Sequence, residues 1–204
     1  MNDPKIESGN RGILRRFRRN GDGIAAVEFA LIVPLLLAMY LGTIEISNGI
    51  TVNKRTARVA STVADLVTQQ PNVSKSSLED ILEIGAAIMF PYDTTLPVIT
   101  VVGIDVDDDH PDGGEIIWSR RYNKGTFDGG LGSGLGTKTS VPTRLRIDET
   151  FIVKVTAEIE YRPIVTWIIG EKTDGSGATY TALDMSEEYF LRPRLSDEVL
   201  CTDC

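Results

Sequence analysis

The residues able to do chemistry in this 204-residue chain are few. Two cysteines, Cys201 and Cys204, form a CxxC in the closing stretch Leu200–Cys204. With His110 as the sole histidine, two thiolates do not complete a tetrahedral structural zinc site. A redox CxxC ordinarily opens a helix, and no residues follow this one in which a helix could form. The pair therefore reads as part of a solvated, mobile tail with thiols free or paired, and in an oxidising compartment as a local or intersubunit disulfide. Asp105, Asp107 and Asp109 occupy the first three alternate places of a calcium loop. Its sixth place holds His110 where glycine is needed, and its twelfth holds Ile116 where a bidentate glutamate is needed, so the segment reads as a polar hairpin turn. The glycine run within Gly129–Thr139 lacks the Gly-Lys-Ser/Thr junction of a phosphate loop and has no apolar strand leading into it. No Ser/His/Asp set is spaced for nucleophilic catalysis. The expectation is a protein that is not an enzyme, with no catalytic, cofactor-binding or metal-ligating set.

Glu28 is the exception to this blandness. It is the one charge in the apolar run IAAVEFALIVPLLLAMYLGTI, Ile24–Ile44. A carboxylate inside a bilayer costs roughly 2–3 kcal/mol at the centre on insertion scales, and less near the interface, so such residues are retained for a purpose or lie close to water. A helix of this run's length spans about 30 Å, the thickness of a hydrocarbon core. Pro34 is tolerated there as a kink. A cleavable secretory signal would have a shorter apolar region and a small-x-small site, for which Gly42-Thr43-Ile44-Glu45 is a poor candidate. The run is a membrane span.

Charge orients it. Before Gly23, Lys5, Arg11, Arg15, Arg16, Arg18 and Arg19 outnumber Asp3, Glu7 and Asp22 by three. That leaves −11 on the remainder of a chain whose net charge is −8. Basic residues ahead of the span and none after it until Lys54 predict a cytoplasmic N-terminus. The acidic body repels phosphate backbones, which excludes nucleic acid as a partner.

Four segments follow. Residues 1–23 form a basic cytoplasmic leader, 24–44 the transmembrane helix, and 45–71 its amphipathic extension. There Val52, Val59, Val63, Leu66 and Val67 share one face, with Lys54, Arg58, Ser61 and Asp65 opposite, and Pro71 ends the helix. Residues 74–204 form an extracytoplasmic domain. A second helix is expected from Ser76 or Ser77, with Ser76 and Glu79 as a capping box and Leu78, Ile81, Leu82 and Ile88 as its apolar face. Period-two patterns predict strands over Val98–Val106, Glu115–Arg121 and Phe151–Tyr161, with a further strand in Ala178–Leu191. Lys124–Pro142 reads as a mobile Gly-rich loop. Ile164–Gly170 is too short for a second span. The fold class is α+β: a long transmembrane-plus-amphipathic helix packed against a small antiparallel sheet.

Gly23 stands immediately before Ile24, and Glu28 is the fifth residue counted from Ile24. A basic leader, a glycine and an apolar helix with glutamate fifth resembles the layout of type IV prepilins. More narrowly, Gly23, Ala25, Ala26, Val27, Glu28, Phe29, Ala30, Leu31, Pro34 and Leu35–Leu37 resemble the opening of the TadE-like family of tight-adherence pilus proteins. Glu45 matches an acidic residue at the far end of that helix. Tyr161-Arg162-Pro163 and Leu191-Arg192-Pro193-Arg194 resemble less specific family endings. The resemblance implies a pilin-like minor pilin, or pseudopilin, made as a bacterial inner-membrane precursor and cut between Gly23 and Ile24 by a prepilin peptidase. It implies that Glu28 serves subunit assembly, and that the partners are other minor pilins and pilus assembly components. An uncleaved membrane-anchored assembly factor and an anchored extracytoplasmic ligand-binding domain are the alternative readings.

Overall fold

The computed structural model describes residues 23–92, 96–107, 113–129, 136–163 and 182–204. The basic leader, Asp109, His110, most of the glycine run and Ile164–Gly170 lie outside the described residues. The chain divides into two units, Met1–Ile46 and Ser47–Cys204. The second is called the head below.

One helix, α1, runs over Ile24–Thr68 with Pro34 inside it. In its first part the side chains face outward, including Ile24, Phe29, Leu31 and Leu35. That part is long and apolar enough to cross a membrane, and the helix is the one such element among the described residues. Thr43 donates its hydroxyl to Met39 O at 2.8 Å, which satisfies a polar group inside an apolar stretch.

In the head the rest of α1 buries Val52, Thr56, Val59, Ala60, Val63, Ala64, Val67 and Thr68. Lys54 and Arg58 are exposed, as the helical period requires. This stripe packs against a five-stranded antiparallel sheet, which gives the expected α+β architecture of one long helix on a small sheet. The strands are β2 (Val98–Val106), β3 (Gly114–Asn123), β4 (Thr126–Asp128), β5 (Thr150–Tyr161) and β6 (Leu183–Leu191), in spatial order β4-β3-β2-β5-β6. Two short strands, β1 (Asn72–Val73) and β7 (Leu200–Cys201), pair in parallel beside it. Phe151, Val153, Val155, Ala157 and Ile159 of β5 all point to the helix side, the alternation its sequence displays.

The second helix, α2, is Lys75–Ala87 and buries Leu78, Ile81, Leu82 and Gly85. It starts earlier than the sequence suggests. Ser74, not Ser76, is the N-cap: its hydroxyl accepts from Ser77 N, and Ser77 Oγ accepts from Ser74 N at 2.9 Å. A serine in place of glutamate at the third position closes the reciprocal box. Gly85 lets α2 approach α1 closely, because a Cβ there would lie 2.6 Å from Val63 Cγ2.

Two further features differ from expectation. The sheet has a second buried face, where Val102, Ile104, Val106, Ile116 and Ile152 pack with Val141. Part of the segment expected to be a mobile loop covers it. Thr126–Asp128 is strand β4, and residues 136–139 are tied to the start of β3 through Gly136 N→Ile116 O and Thr139 N→Gly114 O, both 2.8 Å. A register shift between Gly103 and Ile104 makes both faces possible. Gly103 pairs with Trp118 and Ile104 with Ile116, so Ile117 is an extra residue in β3. The bulge turns Trp118 to the helix side and Ile116 to the other.

Candidate functional site

The residues singled out on α1 occupy its start. Gly23 precedes the helix, and a Cβ there would meet nothing within 4 Å. Glu28 is exposed one turn further on, with Val27 61% and Phe29 69% exposed beside it. The helix thus presents a continuous apolar surface broken by one carboxylate. In water such a surface is unfavourable; in lipid or against other apolar helices it is not. Nothing in this stretch is shaped to hold a cofactor.

In the head the described end of the acidic turn is ion-paired. The Lys138 ammonium lies 3.4 Å from Glu115 Oε2 and 3.9 Å from Asp107 Oδ2. Asp105 stands on β2 paired with Glu115. An open groove of about 310 Å³ is walled by Lys124, Glu158, Glu160 and Asp184. Its wall includes no histidine or cysteine and marks no catalytic set. Arg121 is joined to Asp128 by three contacts of 2.8–3.1 Å. The hydrogen bonds it donates to the Asp128 carboxylate hold the guanidinium above its ordinary pKa.

The closing segment, Arg192–Cys204, is a docked strap rather than a mobile tail. Arg194 N donates to Thr68 O at 3.0 Å, and its guanidinium pairs with Asp65 at 2.6 Å. Val199 is fully buried, and its carbonyl accepts from Trp118 Nε1 at 2.7 Å. Strand β7 adds to β1, Thr202 N donates to Val73 O, and Asp203 Oδ1 accepts from Lys75 N at 2.6 Å. Cys201 and Cys204 are joined as a disulfide with Cα atoms 5.6 Å apart. Together with Asp203 they are a cluster of potential metal ligands among the described residues, but the disulfide takes both thiolates.

Asp203 and Arg55 together complete α2. That helix has no acidic residue in its first turn and no basic residue in its last. Asp203 from the strap places a carboxylate on its N-terminal N–H. Arg55 from α1 donates to Ile88 O at 3.0 Å and to Phe90 O at 2.5 Å, at the other end, while stacking 5.1 Å from the Tyr92 ring centre. Both charges have the sign that the helix dipole favours. Neither was visible in the sequence, because the partners lie 128 and 33 residues away.

The apolar helix, the proline within it and Glu28 near its start coincide with a known sequence pattern. Residues 23–65 match the TadE-like protein family. No curated protein or solved structure matches the chain. The TadE-like segment begins on Gly23 and continues past Glu45 into the part of α1 that packs on the sheet. The match supports a tight-adherence pilus-associated protein, and the apolar helix is consistent with membrane anchoring.

Proposed function

We propose that this protein is a minor pilin, or pseudopilin, of a tight-adherence (Flp-type) pilus, made as an inner-membrane precursor and cut after Gly23. One observation carries the reading: the TadE-like match starts on Gly23, at the foot of an exposed apolar helix whose fifth residue is Glu28. Glycine has no side chain, so the chain there enters a peptidase cleft that a larger residue would block. Cutting creates an ammonium at Ile24. Glu28 of a neighbouring subunit neutralises it, an attraction strengthened by the low dielectric of lipid. The basic leader stays in the cytoplasm and the acidic head lies outside it. The head, with no catalytic set among its described residues, meets other minor pilins and assembly components rather than a substrate.

The test is the intact mass of protein extracted from the membranes of a host with an active prepilin peptidase. A chain beginning at Ile24 is expected, and Gly23→Val should accumulate as full-length precursor. A mature protein that retains residues 1–23 would refute the pseudopilin and leave an uncleaved membrane-anchored assembly factor.

A further inference from the structure

We propose that Cys201 and Cys204 are a thiol–disulfide exchange site, and that their oxidation state sets the hold of the strap on the N-terminus of α2. The reacting class is a dithiol–disulfide couple. The inference stands on the geometry of the head alone and holds whether or not the chain is cut at Gly23.

The strap has a strong end and a weak end. Its strong end is Val199, fully buried beneath the Trp118 hydrogen bond. Beyond that point the attachment is a two-residue parallel pairing, one backbone bond from Thr202 and the Asp203 carboxylate on Lys75 N. Two residues of parallel strand are too little to persist alone. Asp203 supplies the charge that the N-terminus of α2 lacks, but an exposed side chain must be held in place to supply it.

The disulfide does the holding. It joins residues separated by three positions and encloses Thr202 and Asp203 between its two ends. Closing so short a loop removes open conformations, a restraint of about twentyfold in the chain-entropy picture. Its two sulfurs differ in setting. Cys201 is half-buried and packs against the main core, while Cys204 is exposed. An incoming thiolate therefore reaches Cys204 Sγ. A bond forms between that sulfur and the attacker, the Cys201–Cys204 bond breaks, and the electron pair leaves on Cys201, which takes a proton. The second thiolate of the reductant then attacks the mixed disulfide, and Cys204 leaves as the second thiol. Two electrons and two protons pass to the protein as the dithiol becomes a disulfide. A disulfide oxidant runs the same steps in reverse and installs the latch.

Reduction loosens Asp203 in two ways. The loop opens, and Cys201, whose sulfur lies 3.8 Å from Asp203 Oδ1, becomes a thiol that hydrogen-bonds to that carboxylate. A carboxylate drawn toward the freed thiol is no longer fixed on Lys75 N.

The test is amide hydrogen exchange on the full chain in detergent micelles, oxidised and after dithiothreitol. Exchange in residues 72–78 and 199–203 should rise about twentyfold on reduction. The amides of β2 and β5 should stay unchanged, and oxidised glutathione should restore protection. Asp203→Ala keeps both cysteines but removes the acceptor, and should already exchange fast at Lys75 when oxidised, with little further rise there on reduction. Equal protection in the two redox states would overturn the proposal. So would a rise spread evenly over β2 and β5, because the disulfide would then serve the whole head and not the latch.

Discussion

Gly103→Ala tests the packing on which the head depends. Gly103 lies under the Trp118 ring, and an added Cβ would fall 2.4 Å from Trp118 Cε2, 2.5 Å from its Nε1 and 2.7 Å from Phe151 Cζ. Neither ring has room to yield. Trp118 is 2% exposed and Phe151 5%, and their centroids are 6.5 Å apart. A tilt of Trp118 away from the new methyl would break its bond to Val199 O. Forcing a methyl into a filled core costs about 1–3 kcal/mol, and the lost hydrogen bond about 1 kcal/mol more. For a head of this size each kcal/mol lowers the midpoint by about 2–4 °C, so the midpoint should fall by about 4–16 °C. Thermal unfolding of the full chain in detergent, followed by near-ultraviolet circular dichroism, measures it. Gly42→Ala, with no atom within 4 Å of the added Cβ, is the control. If the clash is the cause, Trp118→Leu should cost less in the Gly103→Ala background than alone, since the two sites are coupled. A Gly103→Ala protein that melts within about 2 °C of the parent would refute the reasoning, since the overpacking and the lost hydrogen bond together convert to about 4 °C or more.

Three other outcomes are expected. Glu28→Gln should insert into membranes as well as the parent, because it removes a charge from lipid, and its co-purification with pilus components should fall; unchanged co-purification would sink the assembly role. Arg55→Met should destabilise the head by about 1–2 kcal/mol, since it uncaps the carbonyls at the end of α2 and loses the stacking on Tyr92; chemical denaturation reads this, and an unshifted midpoint would contradict it. A reporter active only outside the cytoplasm should work when fused after Cys204 and fail when fused after Asn20, and the reverse pattern would overturn the orientation.

The parts legible in the sequence are those where a local pattern coincides with the final environment. Val98–Val106 alternates or runs apolar because it is a central strand covered on both sides. Val52 to Val67 repeats every three or four residues because one face of α1 meets the sheet. The start of α2 was ambiguous for a chemical reason: Ser74, Ser76 and Ser77 are all competent caps, and only backbone geometry selects Ser74. Strands β1 and β7 have two residues each and no pattern of their own; pairing across the fold defines them. The docked strap escaped notice because its anchors, Trp118 for Val199 and Lys75 for Asp203, are remote in sequence. The start of α1 just after Gly23 was legible because its context is local: a polar, basic stretch, then an apolar run.

The bulge at Ile117 has a practical use. It interrupts the alternation of a strand flanked on both sides by others, and it leaves an apolar side chain 43% exposed between two buried ones, Ile116 and Trp118. The residue opposes no partner, so a replacement there disturbs no cross-strand pair. A cysteine at 117 carrying a photo-crosslinker or a spin label would mark a fixed point on the rigid sheet without touching either core. Distances measured from that point would locate the head against its neighbours in an assembled complex.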